Sequence, residues 1–427
     1  MKDKQVEKLI KGEEKRQAEG LELIPSENYV SRDVLTANGS IFTNKYAEGY
    51  PGKRYYGGQE FTDQLETLAI ERAKKLFRCD HANVQPLSGS PMNQAVYLGI
   101  LKPGDTVMGM DLGHGGHLTH GHPVSHMGKL FNWVRYKTHP ENKGKIDFKE
   151  LLSLAKKHKP KIILCGYTSY PRDYKYEDFK RVADEVGAFT MADIAHIGGL
   201  VAAGVMANPF DAGFDIVTTT THKTLRGPRA GLILSKGIVG NPLKPVELTR
   251  ENLPTVLDRS VFPGLQGGPH MHTIAAIAVA LGEAATPKFR KYAKQVLVNS
   301  KKMAERFMQL GVKLVTDGTD NHMMVIDCVK SFDMLGGEVE KILDEVGITT
   351  NKSMIPDDPN PPFKPSGLRL GTPAMTTRGF KEKECKLVAE LIVKTIKNKD
   401  DKKVKESIHK EIKKLAKKFP IPKNFVG

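Results

Sequence analysis

The chain has 427 residues, of which 39% are hydrophobic and 27% charged, with a formal net charge of +16 at pH 7. This composition is typical of a globular protein of two domains, and the purest apolar run, residues 274–281, is too short to span a bilayer. The N-terminus carries no apolar signal-peptide core, and four scattered cysteines without CxxC spacing favour reduced thiols in a cytoplasmic protein over a disulfide framework or a zinc site.

The first 25 residues are predicted to form a charged N-terminal arm, which is followed by a loop at 43–60. That segment, TNKYAEGYPGKRYYGGQE, mixes glycines, a proline and four tyrosines with charged side chains and has no amphipathic period. A loop of this length with so many functional groups commonly carries function. Glu48 is a candidate general acid or base, and Tyr55 or Tyr56 could donate a hydrogen bond to a phosphate or carboxylate.

A helix is predicted from about Pro91 to Leu101, directly after Ser88, Gly89 and Ser90. Ser90 is a suitable N-cap residue, and Pro91 suits the first helical position, where its missing N–H costs nothing. Free amides, hydroxyls and the positive end of the helix dipole would form a phosphate site there. The alternative is an ordinary N-cap without a ligand.

Five histidines fall within the glycine-rich run DLGHGGHLTHGHPVSH, residues 111–126. His117 and His120 would share a face if this run were helical, but its glycines interrupt a helix and no glutamate completes a zinc motif. We therefore expect no metal site. An imidazole stacked on a flat cofactor ring is the favoured interpretation.

Short apolar runs alternate with helical segments through the middle of the chain. Strands are predicted at 105–110, 161–167, 188–193, 215–221 and 231–235, with a helix at 176–187. This alternation predicts a mainly parallel sheet with helices on both faces. Ligands bind such sheets at the carboxyl ends of the strands.

Two charged residues stand at the ends of predicted strands. Asp193 ends an apolar strand and, if buried, requires a cationic or hydrogen-bonding partner. Its carboxylate could keep a pyridine nitrogen protonated, which makes the ring an electron sink, or it could cap the next turn. Lys223 follows four threonines and His222, a run that favours a strand. It either caps that strand in water, the common case for lysine, or offers its amine to an aldehyde.

From about residue 275 the chain changes to a long helical pattern and then to a second α/β run, with a boundary placed at 271–282. The second run includes VKLVTDG, NHMMVIDCV, the helix EVEKILDEVG and the strand GLRLGT. Arg369 interrupts the last strand, either as a bidentate grip on a substrate carboxylate or as a charge on an edge strand.

The basic excess is concentrated near the C-terminus. There Ile408, Ile412, Leu415 and Phe419 predict an amphipathic helix whose lysines form its solvated face. No aromatics alternate with these basic residues, as a nucleic-acid stacking platform requires. A nucleic-acid partner is therefore not expected. An RNA-binding protein on a retired enzyme fold is a competing hypothesis, against which Lys223, Asp193 and Arg369 together weigh.

These features together indicate pyridoxal phosphate acting on an amino acid. They are a phosphate site, a carboxylate that could pair with a ring nitrogen, a lysine that could react with an aldehyde, and an arginine that could bind a substrate carboxylate. The chain also resembles the serine hydroxymethyltransferase family over nearly its whole length. The resemblance is carried by IPSEN (24–28), NKYAEGYPGKRYYGG (44–58), SGS (88–90), HGGHLTHG (114–121), MADIAHIGGLVAAG (191–204), VTTTTHKTLRGPRAG (217–231), VFPGLQGGPHMH (261–272) and SGLRLGTPAMT (366–376).

The resemblance implies an α/β protein with the type I fold of pyridoxal-phosphate-dependent transferases, similar to aspartate aminotransferase. It implies an N-terminal arm (1–25), a large cofactor-binding domain (26–275) and a smaller C-terminal α/β domain (276–427). The implied activity is the reversible conversion of L-serine and a tetrahydropterin, either tetrahydrofolate or tetrahydromethanopterin, to glycine and the 5,10-methylene-tetrahydropterin. The implied assembly is a homodimer whose sites are shared across the interface, with no membrane partner.

The resemblance also implies roles for individual residues. Lys223 would form the aldimine with the cofactor, Asp193 would pair with the ring nitrogen and His117 would stack on the ring. The remaining cofactor contacts would come from Ser88, Gly89 and Ser90 at the phosphate and from Thr168 and His196 beside the ring and its hydroxyl. The substrate would be contacted by Ser26, His222 and Arg369, with Tyr46 and Tyr56 nearby and Thr220 favoured among the threonines. Glu48 would transfer protons, Tyr55, Gly267 and Gly268 would come from the partner subunit, and Leu112, Gly116, Leu118 and Ser353 would lie on the pterin side.

Three positions depart from the usual family pattern. Thr168 stands where serine is commoner, Leu265 replaces a glycine, and Ser353 stands where an asparagine often contacts the pterin. A methanopterin-type carrier is therefore an alternative to folate. The alternative activity is a pterin-independent aldolase for threonine or another β-hydroxy amino acid, which need not share Glu48 and its tyrosine loop.

Overall fold

The computed structural model describes residues 1–422, which form strands and helices in alternation. The strands are β1 (Leu21–Glu22), β2 (Gly49–Tyr50), β3 (Lys53–Arg54), β4 (His81–Asn83), β5 (Thr106–Met110), β6 (Asn132–Tyr136), β7 (Ile162–Gly166), β8 (Phe189–Asp193), β9 (Ile216–Thr220), β10 (Gly231–Ser235), β11 (Met323–Asp327), β12 (Ile348–Thr349), β13 (Asn351–Ser353) and β14 (Gly367–Gly371).

The α-helices vary from one turn to more than six turns. They are α1 (Lys4–Glu19), α2 (Arg32–Asn38), α3 (Glu60–Phe77), α4 (Gly89–Ile100), α5 (Met127–Leu130), α6 (Phe148–His158), α7 (Tyr176–Val186), α8 (Gly198–Ala202), α9 (Leu253–Arg259), α10 (Met271–Ala284), α11 (Pro287–Gln309), α12 (Cys328–Phe332), α13 (Gly336–Asp344), α14 (Pro373–Thr377), α15 (Glu382–Lys397) and α16 (Lys402–Lys418). Across residues 1–422, no helix combines the length and the apolarity that crossing a membrane requires.

Seven strands form one large sheet in the order β4-β10-β9-β8-β7-β5-β6. Strands β5 to β9 pair in parallel. Only β10 runs against both of its neighbours, so β4 points in the same direction as β9. The predicted, mainly parallel sheet is confirmed. Because six of its strands share one direction, the loops after β4, β5, β7, β8 and β9 all meet at one edge.

Hydrophobic side chains cover both faces of this sheet, which explains why β7, β9 and β10 are buried along their whole length. One face packs against helices α3, α7 and α10 through residues such as Phe77, Phe179 and Leu281. The other face packs against α4 and α9 through residues such as Val96 and Leu257. The core therefore holds the sheet rigid and leaves its carboxyl edge for polar loops.

A second core surrounds a three-stranded antiparallel sheet in the order β11-β14-β13. It draws residues from α11 onward, beginning at Met303, and also includes Leu21 and Leu23 from the N-terminal arm. The arm reaches this core because β1 pairs in parallel with β12. The predicted amphipathic C-terminal helix is confirmed, since Ile408, Ile412 and Leu415 of α16 are buried in the same core.

The boundary between the two hydrophobic cores lies within α11. Its residues up to Val296 pack with the large sheet, and its residues from Met303 pack with the small one. The division into domains at residues 275 and 276 stays a prediction. The predicted C-terminal domain ends at residue 427, and its last five positions, 423–427, lie outside the described residues.

Candidate active site

A cavity of about 390 Å³ opens at the carboxyl edge of the large sheet. Twelve residues predicted from the sequence line it: Ser26, Ser88, Gly89, Ser90, His117, Thr168, Asp193, His196, Thr220, His222, Lys223 and Arg369. The topology explains this convergence, because ten of these residues end or follow a strand of the large sheet, namely β4, β5, β7, β8 or β9. Arg369 is supplied by β14 of the small sheet, and Ser26 by the N-terminal arm.

Asp193 is a buried carboxylate held by three donors. Its Oδ1 accepts the Ala195 N–H at 3.0 Å, while its Oδ2 accepts from Asn93 Nδ2 at 2.8 Å and lies 3.1 Å from His120 Nε2. Burial raises the pKa of this carboxyl, but the interactions with His120, His117 and Asn93 together outweigh burial and hold the pKa below its usual range. Asp193 thus caps its own turn and also presents a negative charge to the cavity.

Lys223 is partly exposed to the cavity and is not a solvated strand cap. Burial lowers the pKa of its amine to about 8, with the charge of Asp193 opposing this change and that of Arg369 adding to it. Its main chain is fixed because Asn28 Nδ2 donates to the Lys223 carbonyl oxygen at 3.1 Å. A larger fraction of this amine is therefore neutral near pH 7 than for an ordinary lysine, which suits attack on an aldehyde.

The helix behind the predicted phosphate site begins earlier than expected. Helix α4 starts at Gly89 with Ser88 at the N-cap position, so the prediction of Ser90 as N-cap and Pro91 as first helical residue was wrong. The Ser88 side chain makes no capping hydrogen bond. A Cβ atom on Gly89 would lie 3.0 Å from Thr220 Cγ2, a tight contact that favours a glycine next to the neighbouring strand. The helix terminus remains a suitable anion site.

Three histidines of the cavity are uncharged. Burial lowers the pKa of His117 to about 3, with His120 adding to the effect, and it lowers the pKa of His222 to about 3, with Lys223 adding to the effect. Burial also holds the pKa of His196 well below its usual range. Neutral imidazoles can lie against an aromatic ring without bringing a further positive charge next to Lys223.

Arg369 is buried on the central strand of the small sheet, so the edge-strand alternative was wrong. Its Nη1 donates to the Thr168 carbonyl oxygen at 2.5 Å and its Nε to Asn351 Oδ1 at 3.1 Å. Burial lowers its pKa to about 10, which leaves the guanidinium charged at neutral pH. Two bonds therefore orient a charged, planar group beside the cavity.

Several buried polar atoms of the cavity residues have no protein partner within residues 1–422. They are Thr168 Oγ1, His196 Nε2 and His222 Nδ1. Buried polar atoms are nearly always hydrogen-bonded, so unpaired ones in a cavity indicate a polar ligand. Thr220 differs from these, because its Oγ1 donates to the Ala195 carbonyl oxygen at 3.4 Å, while Thr221 Oγ1 donates to Pro228.

Six predicted site residues lie outside the cavity, in a second cluster that we call the tyrosine loop cluster: Tyr46, Glu48, Tyr55, Tyr56, Gly267 and Gly268. Tyr46 donates its hydroxyl to Glu48 Oε1 at 3.2 Å, and the rings of Tyr46 and Tyr56 are 5.1 Å apart. Added Cβ atoms on Gly267 and Gly268 would lie 3.2 Å from Glu48 Oε1 and 3.0 Å from the Tyr46 ring. The three tyrosines are 49–61% exposed.

The tyrosine loop cluster has a firm base. Strands β2 and β3 form a short hairpin within the predicted loop. Arg54, at the end of this hairpin, donates to Glu66 Oε2 at 2.5 Å and to Asp63 Oδ1 at 2.8 Å, and both Arg54 and Glu66 are buried. The loop therefore presents Glu48 and the tyrosines from a fixed position.

The four predicted pterin-side residues, Leu112, Gly116, Leu118 and Ser353, also lie outside the cavity lining. They belong to two segments that lie next to Thr168. The Gly115 carbonyl oxygen accepts the Thr168 N–H at 2.7 Å, and Ser353 Oγ donates to Ser169 Oγ at 3.1 Å. Leu118 is 48% exposed. The four residues therefore lie on segments that contact Thr168 or Ser169.

Comparison with known proteins decides the family. The model of the family "Serine hydroxymethyltransferase" matches residues 1–392. The chain is 52% identical over 413 residues to a curated protein named "Serine hydroxymethyltransferase" from Crocosphaera subtropica (strain ATCC 51142 / BH68). The alignment covers 97% of this chain and 93% of that protein. The chain belongs to the serine hydroxymethyltransferase family.

Membership of the serine hydroxymethyltransferase family confirms the resemblance and the type I fold predicted from the sequence. The family is one of transferases that use pyridoxal phosphate and a folate-type co-substrate. The family match does not favour the alternative activity, a pterin-independent aldolase.

Some residues of this serine hydroxymethyltransferase site were not predicted. The cavity is also lined by Glu27, Met92, Asn93, Tyr167, Ala195 and Arg229. Asn93 is the most informative, because it joins Asp193 to Thr119 and Thr218. The signal available in the sequence was a single asparagine inside the apolar segment of a helix, one turn after the predicted phosphate site.

Proposed function

We propose that the protein interconverts L-serine and glycine, with the one-carbon unit carried by a tetrahydropterin and with pyridoxal 5′-phosphate as cofactor. The observation that carries the proposal is the convergence of three groups on one cavity: an amine of lowered pKa, a buried ionised carboxylate and a buried, oriented guanidinium. Such perturbed groups in a cleft mark a functional site.

The residues present fit pyridoxal phosphate. The start of α4 with Ser88, Gly89 and Ser90 would hold the phosphate, and Asp193 would hold the protonated ring nitrogen. The unpaired Thr168 Oγ1 and His196 Nε2 would serve the polar edge of the ring, with neutral His117 against its face. When bound, the cofactor supplies the electron sink that stabilises a carbanion at the substrate α-carbon.

The chain itself binds and orients the amino acid. Arg369 would receive the substrate carboxylate in a bidentate contact, because Thr168 and Asn351 fix the plane of its guanidinium. Ser26 and His222 would add polar contacts to the substrate, and Thr220 would offer its hydroxyl from the end of β9. With a pKa of about 8, Lys223 Nζ can accept and return a proton near neutral pH.

A homodimer completes this site in our proposal. Glu48 and its tyrosines lie outside the cavity of their own chain. The tyrosines are exposed and Glu48 is half-buried, which supports a role in the cavity of a partner subunit. Gly267 and Gly268 belong to the same cluster and would cross the interface together with Tyr55. In that arrangement the Glu48 carboxylate would transfer a proton at the substrate hydroxyl or at the carrier.

The carrier is proposed to be tetrahydrofolate or tetrahydromethanopterin, bound between the loop of Leu112, Gly116 and Leu118 and the segment of Ser353. Ser353 is held by Ser169, next to Thr168 of the cavity, which supports a pterin position at the mouth of the site. Steady-state affinity for the two pterins distinguishes the carriers. Tight use of simple tetrahydrofolate excludes a requirement for the methanopterin type.

The cysteines support a reducing compartment, and we propose the cytoplasm. All four, Cys79, Cys165, Cys328 and Cys385, are buried free thiols. Burial raises the pKa of each thiol, which keeps it protonated and unreactive.

One experiment tests the proposed chemistry directly. The cofactor-loaded protein should be yellow, borohydride should fix the cofactor on Lys223, and serine should yield glycine only when a tetrahydropterin is added. Recovery of the label on another lysine would refute the site. Serine turnover that is unaffected by any tetrahydropterin would favour the aldolase.

A further inference from the structure

Two buried histidines from distant parts of the sequence meet behind the cavity. His196 follows β8 of the large sheet, and His322 precedes β11 of the small sheet. His196 Nδ1 lies 3.2 Å from His322 Nε2, and the ring planes are inclined by 30°. His196 is 2% exposed and His322 is fully buried. His196 lines the cavity, whereas His322 does not.

Both imidazoles are neutral. Burial lowers the pKa of His322 to about 3, and it holds the pKa of His196 well below its usual range, with Lys223 and Arg369 adding to both effects. A neutral imidazole has one N–H donor and one acceptor nitrogen. The short contact between the rings therefore contains one proton, which belongs either to His322 Nε2 or to His196 Nδ1.

The unpaired nitrogens decide between these two arrangements. Neither His322 Nδ1 nor His196 Nε2 has a hydrogen-bond partner in the described part of the chain. If His196 Nδ1 carried the shared proton, His322 would hold its own proton on Nδ1, an N–H sealed in the core. If His322 Nε2 carries it, the second N–H is on Nε2 of the cavity residue His196, where a ligand can accept it. A buried N–H that can never be paired costs more free energy than one that a ligand can accept, so the proton is assigned to His322 Nε2.

The position of His322 is fixed by its neighbours. Asn321 Nδ2 donates to the Tyr170 carbonyl oxygen at 2.9 Å and so ties this segment to the loop after β7. The His322 carbonyl oxygen accepts the Thr372 N–H at 3.1 Å. An added Cβ on Gly371 would lie 2.7 Å from that oxygen, so the close approach requires a glycine. The main chain at His322 is therefore fixed next to His196 by contacts with both cores.

We propose that His322 is a positioning residue whose Nε2–H donates to His196 Nδ1 and thereby keeps the His196 proton on Nε2, available to an oxygen of the bound cofactor or substrate. The second nitrogen of an imidazole is generally set in this way by the partner of the first. The identity of the acceptor rests on the proposed function, whereas the proton positions in the pair do not.

Neutron diffraction from a deuterium-exchanged crystal of the cofactor-loaded full chain tests the proton positions. Deuterium is expected on Nε2 of His322 and on Nε2 of His196. Deuterium on Nδ1 of either ring overturns the proposal. Because this measurement needs no turnover, the tautomer assignment stands or falls separately from serine hydroxymethyl transfer.

Two substitutions test the consequence for the cofactor. His322→Gln keeps an amide donor near the Nε2 position, while His322→Leu removes it; His409→Leu, on the distant helix α16, is the matched control. Titration of the apoprotein with pyridoxal phosphate should show a loss of affinity of about five- to tenfold for His322→Leu, the scale of one hydrogen bond. His322→Gln and His409→Leu should remain within about twofold of the unchanged protein. Equal losses in the leucine and glutamine variants of His322 would indicate packing alone and refute the positioning role.

Discussion

Replacing Arg369 by lysine should weaken binding of the amino acid without removing the positive charge. Of the five N–H donors of the guanidinium, one is used by Thr168 and one by Asn351, so the others remain for a carboxylate in the cavity. Lysine offers a point charge on a flexible stem and cannot make a planar, bidentate contact.

The magnitude follows from the bond that is lost. A hydrogen bond to a charged group is worth about 1.5–3 kcal/mol. Because about 1.4 kcal/mol corresponds to a tenfold change in affinity, the dissociation constant for serine should rise about 10- to 150-fold. Glycine carries the same carboxylate, so it should lose affinity by the same factor.

Spectral titration of the cofactor-loaded Arg369→Lys variant with serine and with glycine measures both constants. Arg378→Lys is the matched control, because Arg378 is equally buried and donates to main-chain carbonyl oxygens, including those of Gly20 and Ala416. The control should lower the melting temperature and leave serine affinity unchanged. A loss below about threefold for Arg369→Lys, or a loss for serine alone, would refute the bidentate contact.

Three further predictions address the other charged groups of the site. Competition labelling of the apoprotein with an amine-reactive anhydride should give a midpoint near pH 8 for Lys223, because its amine loses its proton about there; a midpoint near that of exposed lysines would contradict the effect of burial. Asp193→Asn should weaken pyridoxal phosphate by at least about tenfold in an apoprotein titration, since an amide cannot balance a protonated ring nitrogen; unchanged affinity would remove Asp193 from that role. Glu48→Gln and Lys223→Ala should each be inactive, yet refolding the two together should restore about a quarter of the activity if the sites are shared in a twofold dimer. No recovery would place Glu48 in the site of its own chain.

Five of the seven strands of the large sheet, β5 and β7 to β10, were predictable because they are short and largely apolar or β-branched runs. Strand β6 was missed, since its sequence NWVRY is largely polar and its side chains are mostly not buried, as suits the outer strand of the sheet. VKLVTDG, assigned to the second α/β run, yields no strand, only an isolated bridge between Leu314 and Ile326. The first residue of α4 was misplaced by two positions, because the contact of Gly89 with Thr220 is tertiary and local propensity cannot show it.

The candidate site was predictable wherever a local motif places a residue at a strand end. Lys223, Asp193 and Ser88 were found in this way. The hydrogen-bond partners of the Asp193 Oδ2 atom were not, because they approach it only through the fold. Asn93 reaches Asp193 across 100 residues of sequence, and His120 does so across 73. His120 lies in a histidine-rich run, and its spacing from His117 raised the question of a metal site but gave no indication of a carboxylate partner.

The contact between the two cores brings residues of both to the candidate site. Arg369 from the small sheet is oriented by the carbonyl of Thr168 in the large one, although 201 residues separate them in the sequence. His322 reaches His196 across the same boundary. Arg369 stands on β14 and His322 precedes β11, and these two strands are paired. One small sheet would therefore supply both the proposed contact with the substrate carboxylate, from Arg369, and the partner of His196. Asn321, next to His322, donates its Nδ2 to Tyr167 Oη and to the carbonyl oxygens of Tyr170 and Arg172 in the large core. A displacement of the small sheet would therefore disturb these bonds and the contacts of Arg369 and His322 together.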